Sequence, residues 1–447
     1  MVVAQKKVGF RHQLLERLSE ARVRTDEIFG IVRPGSLYER PIPERHRIIF
    51  YLGHLEAFDW NLLRERVLAL KAFHPDYDKL FAFGIDPVNG TLPSDQPIDW
   101  PSVADARQYV QRVRGSIDAG LAPLESADWN SRSVGEEFSA STLLNVAIEH
   151  RLMHAETLAY MLHQLPLDRK VSRPRKPELI VPPVAHRMIE IPAGRATLGL
   201  SRGCDNIFGW DNEYEAQTVD VPTFAIDKYK VTNGQYLDFV AAGGYENPAF
   251  WTQEDWEWRT AQDIRHPVFW IWNRDRWYWR TMFAEIPLPL DWPLYVSQAE
   301  ASAYARWAAK SLPTEAQWHR AAYGMENGTE RPFPWGTVAP HPSKGNFDLH
   351  HWDPTPVGAF PDGQSALGVA DLLGNGWEWT SSPFEPFHGF RQFSFYPGYS
   401  ADFFDGKHYV MKGASARTAA CMLRRSFRNW FQPHYQYVYA GFRCVSN

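Results

Sequence analysis

The chain of 447 residues is poor in cysteine and has no surplus of positive charge. Its three cysteines, Cys204, Cys421 and Cys444, are too few for a disulfide framework, which favours a reducing compartment. No stretch approaches the roughly 20 apolar residues that a membrane-spanning helix needs, and residues 1–10 lack the apolar core of a signal peptide. We therefore expect a cytoplasmic protein with no membrane partner.

The charge balance also excludes a class of partners. A formal net charge of -5, with acidic and basic residues mixed along the chain, argues against non-specific nucleic-acid binding. The abundant feature is aromatic residues, which make up 15% of the chain and include 19 Trp. Much of this content follows residue 205 in turn-rich sequence and indicates an irregular fold held by aromatic packing. The sequence predicts no oligomeric state.

The pattern of apolar residues predicts two domains joined by a linker. Residues 1–166 show helical periodicity and predict a four-helix bundle, with an irregular Pro/Gly-rich loop at residues 86–95. Residues 167–187 are basic and proline-rich and predict the linker. Residues 188–447 show short strand-like runs with few helices. Two helices stand out there, one after Ser297 and one capped by Thr314 with Gln317.

The bundle carries a pair of histidines with metal-ligand spacing. His150 and His154 are four residues apart in a helical stretch, so their side chains lie on the same face. Two neighbouring imidazoles suit iron, zinc or copper, although such a pair also occurs at surfaces and in packed cores. His54, in a second strongly apolar helix, adds a third imidazole. Three histidines on two helices predict a site with open coordination positions.

Four segments of the second half resemble the formylglycine-generating-enzyme-like, or sulfatase-modifying-factor, domain. They are residues 231–236 (Val-Thr-Asn-Gly-Gln-Tyr), 312–318 (Leu-Pro-Thr-Glu-Ala-Gln-Trp), 374–380 (Gly-Asn-Gly-Trp-Glu-Trp-Thr) and 441–444 (Gly-Phe-Arg-Cys). This resemblance implies a C-type-lectin-like mixed fold with little regular structure. We do not carry over cysteine oxidation, because Cys421 and Cys444 stand far apart in the sequence.

The first half resembles the DinB-like four-helix bundle, whose metal site has three histidines. His54 matches the first, and His150, His154 and Glu156 match its His-x3-His-x-Glu motif. The expected fold class is therefore α+β, a DinB-like bundle followed by the lectin-like domain. Glu156 is expected either to orient a ligand histidine or to form a structural salt bridge.

The two domains together, with residues 208–213 (Phe-Gly-Trp-Asp-Asn-Glu), look like the ergothioneine-biosynthesis sulfoxide synthases. The resemblance implies an enzyme that uses non-haem iron(II) and dioxygen. Such enzymes join the sulfur of a cysteine-containing thiol to C2 of the hercynine (N-alpha-trimethylhistidine) imidazole and oxidise that sulfur to a sulfoxide. His54, His150 and His154 are then the expected iron ligands.

The same resemblance implies substrate-binding residues. Asn429 is expected at the betaine carboxylate and Trp430 at the trimethylammonium group, unless Trp430 is a core residue. Members of the family that use gamma-glutamylcysteine carry an aspartate at the next position, where this chain has Phe431. Cysteine is therefore the preferred donor. Arg112 is expected either to hold its carboxylate or to be a surface residue of the helix.

A proton donor near the iron is the last expected group. Tyr396 and Tyr399 lie in the region that matches the catalytic tyrosine of characterised family branches, and either is a candidate, as is ordinary core packing for each. Two alternative functions stay open. One is a selenoneine-type synthase with a selenosugar donor, and the other is a non-catalytic module that binds a metal or a ligand. Three histidines without a fourth ligand favour an enzyme, because structural zinc sites are usually closed.

Overall fold

The computed structural model describes residues 2–83, 92–124, 129, 138–174, 179–203 and 207–446, with only the backbone described for residues 2–11. Cys204, residues 86–91 of the predicted loop and residues 175–178 of the predicted linker lie outside the described residues. The chain divides into two compact units, Met1–Arg173 and Pro174–Asn447. The division falls inside the stretch predicted as a linker.

The first unit is helical, as its sequence pattern predicts. Its helices are α1 (Val2–Phe29), α2 (Ile48–Leu63), α3 (Pro75–Phe83), α4 (Val103–Leu121) and α5 (Ala140–Gln164). The helix α1 packs against α5, and α2 packs against α3, α4 and α5. None of the described helices is both long enough and apolar enough to cross a membrane.

Two helix starts in this unit are set by serine caps. The Ser102 hydroxyl accepts a hydrogen bond from the backbone N–H of Asp105 at 3.1 Å, so α4 begins at the next residue. The Ser139 hydroxyl accepts from the backbone N–H of Thr142 at 3.3 Å and starts α5 in the same way. Each cap satisfies a backbone donor that the first helical turn leaves unpaired.

The helix α3 is an element that the sequence pattern did not predict. It has nine residues, too few for a clear periodicity, and it begins with Pro75 and an acidic first turn. Its Asp78 carboxylate accepts hydrogen bonds from the Trp60 indole at 3.2 Å and from the Tyr109 hydroxyl at 2.7 Å. These bonds tie α3 to α2 and α4, and Phe81 of α3 is fully buried.

The second unit consists of short strands and helices. Its helices are α6 (Asn233–Ala241), α7 (Gln253–Ala261), α8 (Gln298–Trp307) and α9 (Glu315–Tyr323). Its strands are β1 (Met188–Ile191), β2 (Gly194–Leu198), β3 (Gln217–Val221), β4 (Phe224–Asp227), β5 (Trp270–Asn273), β6 (Arg276–Arg280), β7 (Glu285–Pro287), β8 (Gly376–Pro383), β9 (Tyr409–Ala414), β10 (Asn429–Phe431), β11 (Ala440–Gly441) and β12 (Val445–Ser446).

The described strands form four small sheets. Their orders are β1-β4-β12, β10-β9-β8-β11, β2-β3 and β5-β6-β7. The pairing of β11 with β8 is parallel, and the other pairings are antiparallel. In the four-stranded sheet Trp430 lies opposite Val410 and Phe431 opposite Tyr409. The helix α9 packs on this sheet and on β2, over an apolar core.

Three of the four family segments meet at one buried carboxylate. Glu378 accepts hydrogen bonds from the Arg443 guanidinium at 2.6 and 2.8 Å and from the Trp318 indole at 2.8 Å. The Lys230 ammonium, next to the fourth segment, lies 3.1 Å from the same carboxylate. All four side chains are fully buried. These segments therefore hold the fold together through a closed charge network.

A glycine in the same region is required by close backbone packing. Gly374 has a φ of +93°, and a Cβ atom there would lie 2.4 Å from the carbonyl oxygen of Asn346. Any larger residue would have to adopt a left-handed conformation and also displace the neighbouring backbone. This explains why the turn before β8 begins with glycine.

Candidate functional site

Three histidines converge inside the helical unit. His54 lies on α2, and His150 and His154 lie one turn apart on α5. One ring nitrogen of each lies within 4.8 Å of the corresponding nitrogens of the other two. The ring centroids are 5.2 Å apart for His54 and His150, and 4.5 Å apart for His150 and His154. His150 and His154 therefore lie on one face of α5, as their four-residue spacing predicts.

Hydrogen bonding orients the His54 ring. Its Nδ1 lies 2.7 Å from the carbonyl oxygen of Phe81, an acceptor that requires a proton on Nδ1. The neutral ring then presents a lone pair at Nε2, which lies 3.2 Å from Nε2 of His154. A backbone carbonyl that fixes the tautomer in this way is a usual outer partner of a metal-bound histidine.

The three rings are neutral donors. Burial lowers the pKa of His54 to about 4, although the Phe81 carbonyl opposes this effect. Burial, and then neighbouring histidines, lower the pKa of His150 and of His154 well below the ordinary value. At neutral pH all three imidazoles are uncharged, which is the form that binds metals.

The arrangement fits a divalent transition metal. The Nδ1 atom of His154 is buried and has no hydrogen-bond partner among the described residues, while its Nε2 faces His54. Two nitrogen atoms 3.2 Å apart are readily bridged by a cation that both can bind. No carboxylate joins the three-histidine group in the described part of the chain. Such a set leaves coordination positions open for other ligands. Glu156 is buried nearby on α5.

Aromatic rings fix the positions of two of the histidines. Phe58 stacks on His150 with ring centroids 3.4 Å apart, and Phe50 stacks on His54 at 4.7 Å. These contacts pack both buried imidazoles against apolar ring faces. The two phenylalanines lie on α2, four residues before and four residues after His54.

The C-terminal unit brings Trp430 and Tyr399 together. The Trp430 indole stacks on Phe384 with centroids 4.1 Å apart, and Tyr399 meets it edge-on at 5.5 Å. Phe403 adds a third ring at 5.7 Å. Trp430 is half-buried, so part of its ring surface remains accessible. We call these four rings, Trp430, Phe384, Tyr399 and Phe403, the aromatic cluster.

The tyrosine segment is held by the short helical turn at Asp211–Glu213. Trp210 stacks on Tyr399 with centroids 4.0 Å apart, and the Ser400 hydroxyl donates to the Asp211 carboxylate. Tyr396 is half-buried beside this turn. Burial, with the Asp211 carboxylate, raises the pKa of Tyr396 to about 12.

The remaining predicted substrate residues lie in different settings. The Asn429 side chain accepts a hydrogen bond from the backbone N–H of Trp430 at 2.9 Å. Phe431 stacks on Tyr435 with centroids 5.0 Å apart. Arg112 is exposed on α4, and its guanidinium lies 4.2 Å from the centre of the Phe73 ring. Among the described residues Arg112 is not brought against the three histidines.

Two family models match the chain. The model for the sulfatase-modifying factor enzyme 1-like domain matches residues 181–447, and the model for the DinB superfamily matches residues 17–158. A hercynine oxygenase from Mycolicibacterium smegmatis is 32% identical over 97% of this chain and 99% of that protein. The chain belongs to the hercynine oxygenase family.

Further members of the hercynine oxygenase family are similar over shorter stretches. The protein from Mycolicibacterium thermoresistibile is 35% identical over 77% of this chain and 75% of its own length. The protein from Mycobacterium tuberculosis is 41% identical over 53% of this chain, a match that spans 55% of that relative.

Sequence reasoning missed three charged residues next to the histidines. Arg151, Glu56 and Asp59 are each no more than 1% exposed and form one hydrogen-bonded group. The available signal was the presence of ionisable residues inside the most apolar stretches of α2 and α5. It also missed Phe384, and it named Trp210 only within the family segment 208–213 and without a role, because a chain with 19 Trp and 27 Phe offers many aromatic positions.

The two described cysteines do not resemble a reactive pair. Cys421 is exposed, whereas Cys444 is buried. Burial raises the pKa of the Cys444 thiol far above its ordinary value, which disfavours the reactive thiolate. These settings argue against cysteine oxidation as the activity of this hercynine oxygenase family member.

Proposed function

We propose that this chain is a hercynine oxygenase of ergothioneine biosynthesis that binds iron(II) at His54, His150 and His154. It joins the sulfur of cysteine to C2 of the hercynine imidazole and oxidises that sulfur to a sulfoxide. The observation that carries the proposal is the convergence of three neutral imidazoles in a chain of which 97% aligns with a named hercynine oxygenase.

The proposed reaction balances without another oxidant. Hercynine loses the hydrogen on C2, cysteine loses its thiol hydrogen, and one molecule of dioxygen is consumed. One oxygen atom enters the sulfoxide and the other leaves as water with the two hydrogens. Iron(II), when bound, supplies the site for dioxygen reduction and favours the thiolate form of the donor.

The histidines contribute by geometry and charge. His54, His150 and His154 would hold iron(II) through three neutral ligands and would leave it open to further ligands, which suits chemistry with a thiol and dioxygen. The Phe81 carbonyl keeps Nδ1 of His54 protonated, so Nε2 stays available as the donor. Holding both reactants close together and correctly oriented can lower the activation free energy by up to roughly 7–11 kcal/mol.

The aromatic cluster suits the trimethylammonium group of hercynine. A quaternary ammonium has no hydrogen to donate, so it binds aromatic faces, with Trp the strongest. Trp430 lies among Phe384, Tyr399 and Phe403 and is half-buried, so it offers partly desolvated ring surface. Asn429, next to it on β10, is assigned to the carboxylate of hercynine.

Tyr396 and Tyr399 are the candidate proton donors. With its pKa raised to about 12, the Tyr396 phenol is protonated at neutral pH and can donate a proton to a developing negative charge. Tyr399 packs between Trp210 and Trp430, which fits a positioning role within the aromatic cluster. We favour Tyr396 as the donor of the two.

Cysteine is the preferred sulfur donor. Phe431 stacks on Tyr435 and presents no charge to the amine of a gamma-glutamyl group.

The decisive experiment supplies the chain with iron(II), hercynine and cysteine under air. We expect oxygen uptake that depends on hercynine, and a product with the mass of the two substrates plus one oxygen minus two hydrogens. A parallel reaction without hercynine corrects for simple thiol oxidation. Oxygen uptake that hercynine does not increase would exclude the proposed activity. Selenium in a product from a selenosugar donor would instead support the selenoneine alternative.

A further inference from the structure

A buried arginine links the two helices that carry the histidines. The two terminal nitrogens of Arg151 donate to the two oxygens of Glu56, each at 2.8 Å, and Nη2 also donates to Asp59 at 2.6 Å. None of these side chains is more than 1% exposed. A bidentate bond of this kind fixes direction as well as distance.

The contacts lie directly beside the histidines in the chain. Arg151 follows His150 on α5, and Nη2 of Arg151 donates to the backbone carbonyl of Leu55 at 3.2 Å. Leu55 and Glu56 follow His54 on α2. The Arg151 side chain therefore bonds the part of α5 that carries His150 to the part of α2 that carries His54.

Two further helices hold the acceptor in place. The Arg114 guanidinium, on α4, donates to Glu56 at 2.8 Å and to both oxygens of Asp26, on α1, at 2.7 and 2.8 Å. Arg151 Nη1 lies 3.4 Å from the Thr25 hydroxyl on α1. Glu56 is thus fixed from two sides, and α2 cannot shift against α5 without breaking several charged hydrogen bonds.

We propose that Arg151 is a positioning residue that, with Glu56 and Asp59, sets the distance between His54 and the His150–His154 pair. The inference rests on the proposed metal site and adds to it a group that touches neither metal nor substrate. Lysine cannot replace it, because an ammonium group lacks the planar arrangement of donors that reaches three acceptors at once.

The test uses Arg151→Lys in the full chain, stripped of metal and titrated with cobalt(II). We expect cobalt(II) to bind about tenfold more weakly, the lower end of the effect of losing an outer partner of a metal ligand, because Arg151 acts through the backbone and not on a histidine ring. We also expect the visible absorption bands of the cobalt(II) form to change in position and intensity. A purely structural role would lower thermal stability but leave these bands unchanged.

Arg17→Lys is the matched control. The Arg17 guanidinium donates to the Asn145 side chain at 2.9 Å and so joins α1 to α5. We expect this variant to bind cobalt(II) with the affinity and the spectrum of the unaltered chain. If the Arg151→Lys variant does not fold, Asp59→Asn, which keeps size and removes one acceptor charge, is measured in the same way.

The outcomes separate the inference from the proposed function. Unchanged cobalt(II) affinity and spectrum in folded Arg151→Lys or Asp59→Asn would overturn the positioning role and leave the metal site intact. An unaltered chain that binds no cobalt(II) or iron(II) would overturn the metal site, and with it the inference.

Discussion

Histidines have different neighbours in the two units. In the C-terminal unit His319 lies 3.1 Å from Glu330, His434 lies 2.9 Å from Asp255, and His408 lies 2.9 Å from Asp405. In the bundle, His54, His150 and His154 lie against one another, and no carboxylate joins their group in the described ranges. A histidine beside a carboxylate is already satisfied by a hydrogen bond. Three imidazoles that face one another can be satisfied by a shared cation.

Both units neutralise buried carboxylates internally, and in the bundle Arg151 pairs with Glu56 and Asp59. The C-terminal unit surrounds Glu378 with Arg443 and Lys230, so a buried anion is neutralised within the protein. The candidate binding surface of the same unit consists of aromatic rings. On the proposed function, the bundle would supply ligands for a metal ion and the C-terminal unit would supply aromatic surface for an organic cation. Substitutions in each unit can test this separation.

The largest expected effect follows from removing a metal ligand. His150→Ala or His154→Ala should lower metal affinity and turnover by more than about 100-fold, because even the loss of an outer partner costs about 10–100-fold. Metal content per chain measures the first quantity, and oxygen uptake the second. Near-ultraviolet circular dichroism, dominated by the tryptophans, should show that the C-terminal unit stays folded.

His434→Ala is the control for these variants, since His434 is hydrogen-bonded to Asp255. It should leave the metal content unchanged. Retained turnover in either bundle variant, or loss of metal from His434→Ala, would break the distinction between the two kinds of histidine.

The next effect concerns the charge network of the C-terminal unit. Glu378→Gln should lower the free energy of unfolding by about 3–5 kcal/mol, because Arg443 and Lys230 lose the charge that compensates their burial. Burial alone would raise the pKa of Glu378, but Arg443 and Lys230 outweigh burial and hold this pKa below its ordinary value.

The sign of the pH dependence follows from that lowered pKa. A carboxylate with a depressed pKa stabilises the folded state above the pKa it has in the unfolded chain, and this contribution disappears as the pH falls through its folded pKa. The difference in unfolding free energy between the unaltered chain and Glu378→Gln should therefore be largest at neutral pH and should decrease in acid. Urea titrations measure it, with exposed Glu254→Gln as control. A difference that grows in acid would contradict the assignment.

A moderate effect is expected at the aromatic cluster. Trp430→Ala should raise the KM for hercynine about 30-fold, which corresponds to a cation–π contribution of about 2 kcal/mol at a partly desolvated site. The KM of Trp430→Phe for hercynine should lie between those of the unaltered chain and Trp430→Ala. Metal content should not change, and Trp272→Ala, at a ring that is 55% exposed, should have no effect on KM. A change in metal content without a change in KM would reverse the roles of the two units.

The smallest effect is expected at the donor position. Phe431→Asp should shift the ratio of kcat/KM values toward gamma-glutamylcysteine and away from cysteine by about tenfold, the worth of one charge-assisted hydrogen bond at a half-buried site. Competition between the two thiols, with products separated by mass, measures the ratio. An unchanged preference would remove Phe431 from the donor pocket.

The regular parts of this protein could be predicted from sequence because their signals are local. The helices predicted after Ser297 and after Thr314 begin at the next residue in each case, because each cap acts within three residues. The common face of His150 and His154 follows from helical spacing alone. By contrast, α3 was not predicted, since its stability comes from Asp78 and Phe81 contacts with other helices.

What the sequence by itself determined is which residue types are present and which of them share a helix face. Only the tertiary structure decided that His54 meets the α5 pair, that Arg151 bonds to Glu56 and Asp59, and that Trp210, Phe384 and Tyr399 gather near or around Trp430. The physical reason is the separation in sequence between the residues that interact. A helical turn is set by neighbours a few residues away, whereas these contacts join residues tens to hundreds of positions apart and form only when the whole unit packs.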